Sequence, residues 1–250
     1  MSDPQQPVRL NKRLAQLGLC SRREADVWIA AGQVTVDGVV VSELGTRVRP
    51  DQQVRLSASA DVQQRDKLTV LIHKPEDWVS GQPEDGHRAA VELLTQDRLV
   101  DGAVMPWGPG PWPRRWRQGL APAGRLDLDS SGLLVLTQDG VVARRLVGGH
   151  GEVEKEYIVG VQGLVDDRSL GLLRQGLSLD GRRLRPAIVE ALPEGRLRFV
   201  LREGRKRQIR RMCVLVGLQV TSLLRIRVGA VSLADLPAGR WRLLGPGERF

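Results

Sequence analysis

The chain has 250 residues, 41% of them hydrophobic, and carries 38 Lys and Arg against 29 Asp and Glu for a formal net charge of +9. That is apolar content for one large domain or two smaller ones, no apolar run approaches the ~18 residues of a membrane span, and the opening MSDPQQPV lacks the basic and apolar regions of a signal peptide. The expectation is a cytoplasmic protein with no membrane partner, and an excess of positive charge carried almost wholly by arginine points to a polyanion, nucleic acid first.

From the N-terminus, Leu10, Leu14 and Leu17 recur at helical spacing, and Ser21 with Glu24 three residues on forms the capping box of a second helix that Gly32 ends. QVTVDGVVV reads as a hairpin turning at Asp37-Gly38, and VRPDQQVRL as a last short strand. Two small helices carrying Arg9, Lys12, Arg13, Arg22 and Arg23 ahead of a small sheet make a candidate RNA-docking face, although a merely solvated helix face shows the same charge. SASADVQQRD (57–66) is small and polar and reads as a linker, so the expected division is a domain over 1–60, a junction over 61–66 and a second domain over 67–250.

The second domain opens on the apolar strand KLTVLIHKP, ended by Pro75, and HRAAVELLTQDRLV predicts one helix. DGAVMPWGPGPWPRRWRQG (101–119) has no usable period and reads as a mobile loop insertion, either a disordered excursion or an Arg/Trp arm that stacks on unpaired bases. Beyond it LLVLT (133–137), YIVGV (157–161), RLRFVL (196–201) and SLLRIRVGAVSL (222–233) predict strands, while SLGLLRQG and RQIRRMCVLVG predict helices. The fold class is α+β with a mixed sheet. No G-x-G-x-x-G, P-loop or H-E-x-x-H occurs, and Cys20 and Cys213 belong to no CxxC or Cys/His cluster, so no cofactor or metal is expected and both thiols are expected buried or idle.

The stretch GRLDLDSSGLLVLTQDG (124–140) concentrates carboxylates. Asp127 and Asp129, two apart, share one face of an extended chain, which suits a glycosidase pair or a metal site. Both readings are thin: glycosidase carboxylates flank the bond from opposite sides, ~5–9 Å apart, and a metal wants more ligands than a loop beside Arg125 offers. Turn chemistry accounts for Asp129 before Ser130-Ser131-Gly132, and helix capping accounts for Asp139 before Gly140. Asp127 is left without a local role.

Taken in order, Arg9-Leu10, Gly18, Ser21-Arg22-Arg23-Glu24-Ala25, Ile29, Gly32-Gln33-Val34 and Val36-Asp37-Gly38 resemble the S4 RNA-binding domain. That resemblance implies an αβ module that grips structured RNA by shape and phosphates. GRLDLDSSGLLVLTQDG resembles the catalytic signature of the pseudouridine synthases of the small- and large-subunit rRNA group, G-R-L-D-x-x-[TS]-x-G-L-L ahead of a buried strand. VEKEYIV (153–159) and EGRKRQIRRMCVLVG (203–217) resemble that group's second and third motifs, and HKP (73–75) its first catalytic-domain strand. The resemblance covers nearly the whole chain, and DS together with KRQIRRMC inclines it toward the large-subunit synthase F type.

The resemblance implies a cofactor-free isomerisation of uridine to pseudouridine in RNA, most directly 23S rRNA; a monomer is expected, although no sequence feature reads the oligomeric state. On it, Asp127 breaks the C1′–N1 bond by adding to C1′ or removing the C2′ proton, and Arg210 is its salt-bridge partner, with Arg207, Gln208 and Arg211 as neighbours. Tyr157, the only tyrosine, stacks on the base, and Ile209 packs beneath it. The target uridine must be turned out of its stack, which the S4 module, the 101–119 arm, Arg125 and the cluster holding Arg205, Lys206, Arg207 and Arg211 would support. The chain departs from the family at His73-Lys74-Pro75-Glu76-Asp77, where Asn-Lys-Pro-x-Gly is usual and the freedom of that glycine is missing, and in the length of the 101–119 insertion. The rival readings are a non-catalytic S4-containing RNA-binding or ribosome-assembly factor and a tRNA-directed synthase.

Overall fold

Leu10–Gln16 (α1) and Arg22–Ala30 (α2) bury Leu10, Leu14, Ala25, Trp28 and Ile29 against each other. Helix α2 starts as its sequence dictates: the Ser21 hydroxyl accepts from the Glu24 N–H, and the Glu24 carboxylate accepts from the Ser21 N–H. Val34–Val36 (β1) and Val39–Val40 (β2) form the hairpin over Asp37 and Gly38, both at positive φ. These elements belong to a computed structural model that describes residues 6–83, 85–100, 105–108, 111–113, 115–147 and 153–250.

Two expectations for the N-terminal unit need correction. VRPDQQVRL is two short strands: Arg47–Val48 pairs with Val8–Arg9, and Val54–Leu56 (β3) pairs with β1. The turn between them is held from outside, since the Asp37 carboxylate accepts from the Gln53 N–H and the Gln52 amide, and the Pro50 carbonyl accepts from Arg13. The expected linker is a helix, Ala58–Arg65 (α3), capped by the Ser57 hydroxyl, with Ala60 fully buried in the same core as Leu14 and Trp28. A small residue reads as linker composition, yet here it is what allows close helix packing. The segment read as a linker is therefore a helix that packs on the N-terminal core through Ala60.

Among the described residues the second unit is built on a nine-stranded mixed sheet. Its long strands are Thr69–Lys74 (β4), Ser131–Thr137 (β5), Lys155–Gln162 (β6), Ile188–Leu192 (β7), Arg196–Leu201 (β8), Gln219–Val228 (β9) and Trp241–Leu243 (β10), in the spatial order β7-β8-β6-β9-β5-β4-β10. The β5–β9 contact is parallel and its neighbours are antiparallel. Helices Gly140–Val147 (α4), Asp167–Arg174 (α5) and Gln208–Leu215 (α6) complete the unit. Val70, Ile72, Leu134 and Leu136 face one core with Val159 and Phe199, whereas Leu71, Leu133 and Val135 face another with Val153 and Val228. Burial on both faces explains why LLVLT is apolar without alternation.

HRAAVELLTQDRLV is not one helix. Arg88–Ala89 pairs with Trp78–Val79, and two 3₁₀ turns follow, Ala90–Leu93 and Gln96–Arg98, separated where Thr95 is extended. The Thr95 carbonyl accepts from the indole of Trp241, a partner that a continuous helix would have excluded. The Arg/Trp arm is also not free to stack on RNA. Trp112 and Trp116 pack on the fully buried Trp241, with ring centroids 5.7 and 5.4 Å away, and Trp107 packs on both, so the half-buried indoles cap the main core. Residues 101–104, 109, 110 and 114 of that insertion lie outside the described residues.

The two units meet at the Asp139-Gly140 turn. Asp139 Oδ1 accepts from the Val141 N–H, as a helix cap should, and also from Gln64 of α3. Arg144 donates to the Ala15 carbonyl, Lys67 pairs with Glu24, and a Cβ on Gly140 would run into Ser21. Cys20 and Cys213 are both buried, and burial pushes each thiol up to about 12. Among the described residues no helix is long and apolar enough to cross a membrane.

At Gly132 (φ +108°) an added Cβ would lie less than 3.0 Å from backbone atoms of Arg225 in β9. Gly132→Ala is therefore expected to lower unfolding free energy by about 3 kcal/mol or more, through combined strain and clash, measured by urea denaturation. A loss below about 1 kcal/mol would show that β5 and β9 can move apart there.

Candidate active site

Strand register assembles the site. Gly132 in β5 pairs with Arg225 in β9, Arg225 pairs with Tyr157 in β6, and Tyr157 pairs with Phe199 in β8, so residues far apart in sequence form one row across the sheet. The β6–β9 register shifts between Glu156 and Tyr157. Irregularities of this kind re-aim a side chain, and here one falls at the tyrosine.

The Asp127 loop enters β5 under several tethers, nearly all on its backbone. The hydroxyl of buried Ser80 accepts from the Leu126 N–H (2.9 Å) and donates to the Leu126 carbonyl (2.7 Å). The Asp77 N–H donates to the Leu128 carbonyl at 3.0 Å, and the Ser130 N–H to the Asp127 carbonyl at 3.2 Å. Arg225, 1% exposed, donates to the carbonyls of Leu133 (2.7 Å) and Arg125 (3.2 Å). Among the described residues nothing hydrogen-bonds or ion-pairs with the Asp127 carboxylate itself. The missing family glycine is compensated too: Asp77 takes the left-handed conformation (φ +62°), which aspartate tolerates better than most residues.

The expected Arg210–Asp127 ion pair is not formed. Asp129 receives both arginines: Arg207 binds it bidentately (3.1 and 2.8 Å), while Arg210 Nε lies 3.3 Å from its carboxylate and Arg210 also donates to its carbonyl. The turn closed by Ser130 reverses the chain and aims Asp129 at the start of α6, where residues 207 and 210 share a face. Asp129 thus holds arginines rather than capping its own turn. Burial opposes its ionisation, but the Arg207 hydrogen bonds and the charges of Arg210 and Arg207 prevail, keeping the carboxyl below its ordinary range.

Asp127, Tyr157 and Arg210 all line one cavity of about 890 Å³, together with Arg125, Lys206, Arg207 and Ile209. Among its described lining residues nine are Lys or Arg and two, Asp127 and Glu203, are acidic, which makes it an anion-attracting cleft. Tyr157 and Ile209 are buried beneath it. Lys155, also on its wall, has its ammonium pKa lowered by burial and by Arg225.

Other expected RNA contacts are separated or already occupied. Gln208 is buried, accepting from the Arg205 N–H and donating to Glu203. The Arg205 guanidinium is fixed on the carbonyls of Leu179, Arg182 and Arg183. Arg211 faces away from the cavity onto Asp180. On the N-terminal unit Arg9, Lys12, Arg22 and Arg23 are exposed, whereas Arg13 is half-buried on Pro50. Sequence reading missed Lys74, Ser80, Asp129 and Arg225 as builders of the site. Arg225 had a signal, an arginine in the inward phase of the strand SLLRIRV; Ser80 had none.

A small αβ unit with exposed arginines joined to a mixed-sheet unit with a basic cleft suits a protein that binds RNA. The model of the family RNA pseudouridylate synthase matches residues 69–214, and that of the S4 domain residues 8–54. An uncharacterized RNA pseudouridine synthase of Mycobacterium leprae is 40% identical over 243 residues, 95% of this chain and 89% of that protein. Ribosomal large subunit pseudouridine synthase B of Bacillus subtilis is 32% identical over 246 residues (96% and 93%), and the dual-specificity RNA pseudouridine synthase RluF of Escherichia coli 32% over 247 (98% and 78%). A crystal structure of a pseudouridylate synthase shares the fold with a TM-score of 0.62 at 24% identity, over 95% of this chain and 96% of that one. The chain belongs to the RNA pseudouridylate synthase family and is an enzyme that isomerises uridine in RNA.

Lys74 offers a pH test of the scaffold. It is fully buried, its ammonium donates to the carbonyls of Pro75 and Trp78, and burial pushes its pKa down to about 8 despite the nearby charges of Glu76, Asp129 and Asp77. An unfolded lysine titrates near ~10.4, so between these values the unfolded state binds more protons and this residue's contribution to stability rises with pH. Cys20 and Cys213, raised to about 12, act in the opposite direction above ~8.5. The comparison with Lys74→Met isolates the lysine: the wild type should gain stability relative to the variant from about pH 8 to ~10.4, and parallel stability–pH curves from urea unfolding would refute this.

Proposed function

We propose that this synthase acts on ribosomal RNA, most directly 23S rRNA, with Asp127, Tyr157 and Arg210 at the reacting nucleotide. The observation that carries the reading is Asp127 itself, a carboxylate with no hydrogen bond or close ion pair among the described residues, on a loop whose flanking backbone is tethered, in a basic cleft with Tyr157. The names of the Bacillus subtilis relative and of the family support the substrate class.

In the isomerisation the C1′–N1 bond breaks, the uracil turns, and C5 bonds to C1′ while its proton leaves and N1 regains one. No atom is gained or lost overall. Asp127 either adds to C1′ and is displaced by C5, or takes the C2′ proton and returns it; both routes need an ionised carboxylate at the sugar. Tyr157 and Ile209 supply the surfaces on which the base turns. Arg210, seated on Asp129, and Arg207 place positive charge beside the cleavage site and its phosphates. The exposed Arg9, Lys12, Arg22 and Arg23 of the S4 unit anchor the RNA away from the chemistry. The enzyme on this reading is a cytoplasmic monomer.

Purified protein incubated with unmodified 23S rRNA transcript should form pseudouridine at one or a few sites. Asp127→Asn should lower the single-turnover rate by at least about 10²-fold with RNA affinity retained. No product from the wild type on rRNA, with product on tRNA, would move the substrate to tRNA; no product on either would leave a binding factor.

A second measurement separates docking from chemistry. Arg22→Glu together with Arg23→Glu should weaken rRNA binding by about tenfold or more and flatten its salt dependence, while the single-turnover rate at saturating protein stays within about twofold of wild type. Unchanged affinity would refute the docking role of α2.

A further inference from the structure

Helix α6 forms a wall between the catalytic cleft and a second cavity of about 490 Å³, because Arg207 and Arg210 line both. This second cavity has no place in the chemistry described above. Its surface is formed by Leu179, Asp180, Arg211, Val214 and Leu215. Val214 and Leu215 stand 70% and 54% exposed on the outer side of α6, whose opposite side is buried through Ile209, Met212 and Cys213. The helix thus shows water two adjacent aliphatic side chains, bordered by two cationic ones.

We propose that this cavity seats a nucleotide flanking the target uridine, its base on Val214 and Leu215 and its phosphate on Arg211. The inference rests on the reading that RNA occupies the neighbouring cleft. A nucleotide drawn into the first cavity leads its neighbours out past the rim, and the rim on this side is the wall carrying Arg207 and Arg210. The polar partners suit the exchange. Arg211 is held bidentately by Asp180 (2.9 and 2.6 Å), but with 37% and 72% of the two side chains exposed such a pair contributes little on its own, so a phosphate can displace the carboxylate. Asp180, released, is an acceptor for the amino or imino edge of a base. Apolar contact gives affinity with little sequence preference, and the Asp180 carboxylate adds selection for bases that present donors.

The probe is unmodified 23S rRNA transcript bearing 4-thiouridine, bound to the full chain and irradiated, with crosslinked peptides mapped by mass spectrometry. Crosslinks are expected both to the cleft peptide containing Tyr157 and to the segment holding Val214 and Leu215, and Val214→Glu should abolish only the second. Val214→Glu and Leu215→Glu should each weaken rRNA binding by about tenfold, and Arg211→Ala should reduce the slope of log affinity against log salt by about 1. As the substituted residues are exposed, unfolding midpoints equal to wild type will confirm that the variants are intact. Crosslinks at Tyr157 with none at 211–215, or variants that bind like wild type, overturn the subsite. A Val214→Glu variant that instead dissociates a dimer of the RNA-free protein overturns it in favour of a self-association face. Crosslinking and binding are read without turnover, so an absence of pseudouridine would fail the catalytic reading and leave this one standing.

Discussion

The site depends on main-chain anchoring of a loop that presents one aspartate. Leu126 exchanges two hydrogen bonds with Ser80, Leu128 accepts from the Asp77 N–H, Arg125 accepts from Arg225, and Asp127 uses its own carbonyl to hold Ser130. Every one of these bonds leaves the Asp127 side chain uncommitted. On the proposed mechanism the carboxylate gains from a fixed position, since misplacement by ~1 Å is costly to rate. It also gains from having no competing ion pair among the described residues, which would have to be broken first. The neighbouring Asp129 takes the arginines that would otherwise close on Asp127.

The same segment ties chemistry to docking. After the loop the chain becomes β5, buried on both faces, and ends at Asp139-Gly140, where the S4 unit rests through Ser21, Gln64 and Ala15. One continuous run therefore extends from Asp127 to the S4 unit. Gly132 and Gly140 are its two points of close approach, the first to the backbone of β9 and the second to the side chain of Ser21. The S4 unit is thereby held to the Asp127 segment by direct contacts rather than by a linker alone.

Most of this was legible in the sequence where a local pattern carries the information. The capping box at Ser21, the Asp37-Gly38 hairpin, the strand RLRFVL and the Asp139 cap are each decided within a few residues, and they stand as expected. Expectations failed where tertiary partners decide. Residues 57–66 look like a linker until the core supplies a seat for Ala60, and the 101–119 tryptophans look like an RNA arm until Trp241, more than a hundred residues on, supplies their packing surface. The family resemblance marked Asp127, Tyr157 and Arg210, and the fold brings all three to one cavity. It did not mark Arg225 or Ser80, whose work is done on backbone atoms that no side-chain motif records.

The pairing of Asp129 with Arg207 and Arg210 also gives the cleft its electrostatic logic. Two guanidinium groups lining one cavity repel one another and invite an anion, and a carboxylate between them fixes their direction while neutralising only part of their charge. Arg207 is the more exposed of the two, with 43% of its side chain open against 14% for Arg210. The two arginines therefore differ in what a phosphate can claim: Arg207 can turn outward to it at little cost, whereas Arg210, anchored additionally on the Asp129 carbonyl, stays with the loop that carries Asp127. A basic cleft built this way offers an anion its exposed charge and keeps its geometry through its half-buried one.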